Sequence, residues 1–201
     1  MSQNLFIQSL VPAKEDMAHY IPRKHAGIPV IDILDWCVKN KTNVLTFGNA
    51  GTGKSELAFY YALRTNSVLV AHFDPTLPQH NLEELYRSVS PTRDRPMIVV
   101  INEPEGMFNR ILEGIPPHNK CTPQVRSRCE WNNLLDSIDR RYIYPHTILL
   151  ITSNTLYQDL ICDINIMKDK RIECDINGSM LRTGRVHRQF RLERSLLKKT
   201  D

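Results

Sequence analysis

The chain has 201 residues, a formal net charge of +4, 41% hydrophobic residues and 24% charged residues. That composition excludes a disordered or fibrous chain and gives a globular domain long enough to bury a core without staples; the mild charge permits an acidic or nucleic-acid partner without arguing for one. The five cysteines include no C-x-x-C pair, which speaks against a zinc site or a disulfide framework, and no apolar stretch approaches a membrane span.

Residues 1–28 hold Pro12, Pro22 and the basic run Arg23-Lys24-His25, and read as an extended lead-in. They show no secretory core, and Glu15 and Asp16 sit badly with a transit peptide, so the reading is a cytosolic, soluble protein. Over 29–38 apolar positions recur at helical spacing and predict a helix packed on a sheet. The apolar run Asn43-Val44-Leu45-Thr46-Phe47 predicts a strand, and Glu56 to Leu63 a helix.

Between these two lies Gly48-Asn49-Ala50-Gly51-Thr52-Gly53-Lys54-Ser55. Strand, glycine loop and helix in that order form the frame of a phosphate-binding loop. Glycines let successive backbone N–H groups turn inward, and the helix N-terminus adds partial positive charge. Lys54 can reach the β- and γ-phosphates of a nucleoside triphosphate, and the Ser55 hydroxyl can ligate Mg²⁺.

Ser67 to Phe73 predicts a buried strand, and Leu82 to Val89 a helix with Asn81 as N-cap and Glu84 three residues on. Met97-Ile98-Val99-Val100-Ile101 is continuously apolar, as in a strand covered on both faces of a parallel sheet. It ends in Asn102-Glu103-Pro104-Glu105, at the strand edge where such sheets bind ligands. Glu103 is placed to orient and deprotonate a water attacking the γ-phosphate. Asn102 stands where an acid would hold Mg²⁺ through its waters; an amide can hydrogen-bond such a water but brings no charge.

Residues 106–128 contain Gly114, Pro116-Pro117 and Pro123 and read as a long loop. From Glu130 to Asp139, Trp131, Leu134, Leu135 and Ile138 share one helical face. Thr147 to Asn154 predicts a further buried strand whose polar tip ends in Asn154, a residue able to contact the γ-phosphate or the attacking water. Residues 155–177 are mixed and polar. In Leu181-Arg182-Thr183-Gly184-Arg185 two guanidinium groups stand three residues apart, suited to clamping developing phosphate charge. Phe190 and Leu192 alternate with Arg191, as in a final edge strand, and a short charged tail covers 193–201.

The phosphate loop, the strand ending in Asn102-Glu103, the strand ending in Asn154 and the Leu-Arg-Thr-Gly-Arg segment resemble, as an ordered set, the AAA family of ATPases. Thr183 replaces that family's usual proline. The resemblance covers 29–192 and implies an α/β fold: a three-layer P-loop NTPase with a mostly parallel sheet. Phe73-Asp74-Pro75-Thr76-Leu77, Asn81 to Leu85 and Met97 to Phe108 look most similar to the subgroup containing the mitochondrial chaperone that translocates the Rieske iron–sulfur protein. The family implies ATP and Mg²⁺ bound by Gly48 to Ser55, Asn102 on the metal side, Glu103 and Lys54 as catalytic groups and Asn154 as polar sensor. Arg182 and Arg185 would reach a neighbouring subunit's γ-phosphate, which implies a homo-oligomeric ring, possibly a hexamer, with shared sites. Nine residues follow Leu192, so the family's small helical lid is expected to be absent and a partner chain could complete the site. The function expected is ATP hydrolysis coupled to remodelling of a protein or assembly, a protein substrate being favoured over nucleic acid. Two other readings stand beside it: a viral-type superfamily 3 helicase, and a nucleotide-dependent binding module that hydrolyses little.

Overall fold

The computed structural model describes residues 7–8, 24–25, 28–29, 36–117, 122–154, 180–181, 186 and 188–191. In chain order the strands are β1 (Ile7–Gln8), β2 (Lys24–His25), β3 (Ile28–Pro29), β4 (Val44–Phe47), β5 (Val68–Val70), β6 (Met97–Asn102), β7 (Thr147–Ser153) and β8 (Arg188–Arg191). The helices are α1 (36–40), α2 (Lys54–Arg64), α3 (Leu82–Val89), α4 (Glu105–Glu113) and α5 (Arg128–Asp139).

Six strands form one sheet in the order β1-β5-β6-β7-β4-β8, and β2 and β3 form a separate two-stranded pair. From β5 to β8 every pairing is parallel, with Val99 opposite Leu149 and Leu45 opposite Ile151; β1 joins antiparallel at the β5 edge. Strand β4 lies between β7 and β8, and the chain leaves it for the far side of the sheet before returning. Such a reversal opens a crevice at the carboxyl ends of the strands.

The continuously apolar strands are covered on both faces, as their sequences predict. Leu45, Met97, Val99, Ile101, Leu149 and Ile151 share a core with residues of α3, α4 and α5. Val44, Ile98, Val100, Ile148 and Leu150 share the other with Cys37 and the buried face of α2. Odd and even residues of each strand thus feed opposite layers, the period-two rule of the pleat. In the second layer the Tyr61 hydroxyl donates to the Cys37 carbonyl at 2.8 Å, and burial pushes the Cys37 thiol up to about 12.

Three local expectations need correction. Residues 106–128 are not loop throughout: α4 begins at Glu105 and buries Met107, Phe108 and Ile111. Pro104 serves as its N-cap, with a φ of −68° already helical, so the proline starts the helix that it seemed to forbid. The helix predicted from 29 does not begin there, since Pro29 sits in β3 and helix is described over 36–40. Within the lead-in, Ile7–Gln8 supply a sheet strand.

Candidate nucleotide-binding site

The glycine loop runs from the end of β4 into α2. Gly48 N–H still donates to the Ser153 carbonyl at 3.1 Å, extending the β4–β7 ladder one residue past the strand. The chain then bends through Gly51 (φ +75°) and Gly53 (φ +93°), left-handed conformations that a side chain resists. At Gly53 a Cβ would also lie 3.2 Å from the Glu56 carboxylate. Thr52, fully buried, ties the loop together by donating to the Asn49 carbonyl at 2.9 Å. Because Gly53 is the N-cap, no side chain caps α2, and its first N–H groups stay available to an anion.

Lys54 is buried with 6% exposure, and its ammonium uses all three donors. It donates to the Gly48 carbonyl at 2.7 Å, the Asn49 carbonyl at 2.9 Å and Asn154 Oδ1 at 2.7 Å. Burial lowers its pKa from the ordinary value, and the neighbouring Glu103 carboxylate opposes that shift. The Asn154 N–H in turn donates to Glu103 Oε2 at 3.0 Å. A continuous chain therefore runs from the loop lysine through the tip of β7 to the tip of β6. Ser55, Glu103 and Asn154 are exposed.

Glu103 owes its direction to its backbone. Its N–H donates to the Thr152 carbonyl at 2.8 Å, as though β6 continued, while its φ of +48° turns the chain out of the sheet. A left-handed non-glycine residue of this kind costs on the order of 1–3 kcal/mol, and such strain is concentrated at functional sites.

Asn102 is engaged on both sides of its amide. Nδ2 donates to the Ala71 carbonyl at 2.8 Å, and Oδ1 accepts from the Thr152 hydroxyl at 2.7 Å. Its side chain ties the tips of β5, β6 and β7 together. Ser153 donates its hydroxyl to Glu105 Oε1, a link between β7 and α4 that the sequence reading missed because α4 itself was missed. A cavity of about 330 Å³ adjoins Glu103 and is lined by His72, Asp74, Gly106 and Arg110 among others. Arg110 pairs with Asp74 and also donates to the Thr76 hydroxyl at 3.0 Å.

Met180 and Leu181 are buried in the layer of α5, where the Trp131 indole N–H donates to the Met180 carbonyl at 2.9 Å. Arg182 and Arg185 lie outside the described residues. Strand β8, where an edge strand was expected, closes the sheet beside β4. Among the described residues no group of three or more His, Cys, Asp or Glu side chains is arranged to hold a metal, and no helix is long and apolar enough to cross a membrane.

No protein-family model and no curated protein matches the sequence. Among solved structures, C. elegans PCH-2, an AAA+ ATPase, matches with a TM-score of 0.50 and 16% identity, over 91% of this chain and 47% of that one. The chain thus spans about half the length of the structure it matches. At that identity the likeness speaks for the fold, an α/β domain of the P-loop AAA type.

Proposed function

We propose that this chain binds and hydrolyses ATP with Mg²⁺ as an AAA-type ATPase and couples turnover to remodelling of a protein or assembly. The observation that carries the proposal is the Lys54–Asn154–Glu103 chain, which links the phosphate loop to a carboxylate at the neighbouring strand tips. The uncapped α2 N-terminus and the buried ammonium suit a polyphosphate. A phosphate oxygen has to displace one of three acceptors on Lys54. Two are backbone carbonyls of the loop itself, so the Asn154 side chain is the one free to turn away. Its amide would then meet the γ-phosphate or the attacking water, while its backbone N–H keeps Glu103 aimed. Glu103 takes the proton of that water. Ser55 is the hydroxyl that would ligate Mg²⁺, whose charge neutralises the phosphates during transfer.

Arg182 and Arg185 would complete the site of a neighbouring subunit, in a ring or with a partner chain. The Leu181-Arg182-Thr183-Gly184-Arg185 segment, which favours the AAA family over a viral-type helicase, supports a protein rather than a nucleic acid as the substrate that turnover remodels. A nucleotide-dependent binding module is the second reading. It is favoured by Asn102, whose amide is occupied between Ala71 and Thr152 and brings no charge to the metal side.

Steady-state ATP hydrolysis across protein concentration, with Glu103→Gln and Arg185→Ala in parallel, tests the proposal. Specific activity should rise with concentration, and Arg185→Ala should abolish the rise. Glu103→Gln should keep ATP binding and lose turnover by about 10²–10⁴-fold, the range of a general base. ATP binding with negligible turnover at every concentration would hand the chain to the second reading.

A further inference from the structure

The amino-terminal end of the sheet, opposite the glycine loop, holds a second cavity of about 510 Å³. Lys39, Lys41, Arg93, Arg141, His146 and Thr147 line it, and no carboxylate does. Asp94 and Asp139 are near in sequence, yet neither lines the cavity. Among the described residues no salt bridge neutralises any of the four lysines and arginines; the Arg141 guanidinium donates to the Lys41 carbonyl, a neutral partner that leaves its charge uncompensated. The Thr147 hydroxyl is buried and has no hydrogen-bond partner among the described residues.

The ends of α1 and α5 explain part of this, because cations are favourable near helix C-termini. They account for Lys39, Lys41 and Arg141. They do not account for Arg93 and His146, which arrive on the connections into β6 and β7. Backbone conformation adds a second sign at His146. Lys41 (φ +49°), Arg141 (φ +52°) and His146 (φ +63°) all adopt the left-handed region, where glycine or asparagine would be relaxed. Lys41 and Arg141 do so just past α1 and α5, where that conformation commonly ends a helix, so His146 is the position whose strain calls for another reason. Tyr142 follows the lining residue Arg141 in the chain, does not itself line the cavity and is 89% exposed.

We propose that this end of the sheet binds single-stranded nucleic acid, with phosphates on Lys39, Lys41, Arg93 and Arg141 and a base stacked on Tyr142. Guanidinium forks match phosphate oxygens, and an exposed aromatic beside a cationic groove is the stacking platform of single-strand binders. An acidic polypeptide would meet the same charges, but the carboxylate side chains that pair with them carry no ring to stack on Tyr142, whereas every nucleotide of a single strand does. A duplex keeps its bases stacked inside and cannot present one to the ring.

The test is fluorescence anisotropy of the full chain with a labelled, mixed-sequence single-stranded DNA of about 12 nucleotides, within the site sizes of such binders. Four phosphate contacts give a slope of log affinity against log salt of about −3, from about −0.7 per contact. Lys39→Glu with Arg93→Glu should weaken binding at least about tenfold and make the slope shallower by about 1.4. Tyr142→Ala, at an exposed side chain, should weaken it about tenfold with the slope unchanged, as loss of one stacked base does. Both variants should bind an ATP analogue like the parent, which shows that they fold. Wild-type affinity in both variants would overturn the proposal. So would equal binding of a duplex of the same length, or equal competition by polyglutamate, which would mark the site as a docking surface for acidic polypeptides.

Discussion

At the carboxyl end of the sheet three polar side chains near the glycine loop are each held by another: Lys54 by Asn154, Asn102 by Thr152, Ser153 by Glu105. At the amino end Lys39, Lys41, Arg93 and Arg141 crowd one cavity, and among the described residues no carboxylate is salt-bridged to any of them. Both ends contain left-handed non-glycine residues, Glu103 above and Lys41, Arg141 and His146 below. Strain alone therefore does not separate them; the pairing of charge does. A closed network can be held in one arrangement and released by a ligand that competes for its members. In the cationic cluster Arg141 donates to the Lys41 carbonyl, a neutral acceptor, so its charge is left uncompensated and the cluster gains when an anion arrives.

Lys54→Ala draws this distinction most sharply. The substitution removes the charge that in the proposed function meets the phosphates, and the donor that holds Asn154. ATP binding should fall by at least about 100-fold, given that a buried charged hydrogen bond to a ligand is worth upwards of about 2–3 kcal/mol. Oligonucleotide affinity at the other end should be unchanged. Titration calorimetry with ATP and anisotropy with the oligonucleotide check the two halves. Near-normal ATP affinity would sink the site assignment.

Asn102→Asp is a smaller break in the same network. In place of a donor it sets a carboxylate oxygen against the Ala71 carbonyl, at a contact that is now 2.8 Å. Without nucleotide the variant should lose about 1–3 kcal/mol, the cost of an unmade bond at a partly buried position. With ATP present, the added charge should strengthen the Mg²⁺ dependence of binding. Denaturant melts with and without Mg²⁺ and ATP read both effects. If stability is unchanged in the absence of nucleotide, Asn102 does not clamp the strand tips.

The centre of the fold was legible in the sequence because its signals are local. The glycine loop announces its own turn, and β6 and β7 announce burial on both faces by unbroken apolar runs. Trp131, Leu134, Leu135 and Ile138 repeat at helical spacing and are all buried. Asn81 was legible as a cap, and its side chain accepts from Glu83 and Glu84 N–H. Helix α4 was hidden because Gly114, Pro116-Pro117 and Pro123 outweighed Met107, Phe108 and Ile111. Strand β1 was hidden for another reason: two residues carry no periodicity, and Ile7 pairs with Val70 far along the chain. The identity of Asn102 and Glu103 was readable, but the partners of Asn102 were not, since Ala71 and Thr152 reach it only through the strand order. The basic cavity was invisible for the same reason. Its residues come from separate connections, and only the parallel sheet brings them to one edge.

His80 gives the smallest test, on the flank of the upper end. Its Nδ1 accepts the Asp74 N–H at 2.9 Å, and its ring stacks on Phe73 with centroids 6.0 Å apart. Burial, followed by the nearby His72, lowers its pKa below 6.5, while Asp74 pulls the other way. The folded state thus binds the proton less readily than the unfolded chain. Its contribution to stability is complete above the unfolded pKa of about 6.5 and is lost as pH falls from there toward the lowered value. His80→Gln keeps an oxygen that can accept from Asp74 and removes the titration. Between about pH 7.5 and pH 5.5 the parent should lose more melting temperature than the variant. If both lose the same, His80 is protonated without cost, and the Asp74 to Phe73 corner owes its shape to Arg110 instead. In the first case the cavity beside Glu103 has a wall that softens in mild acid.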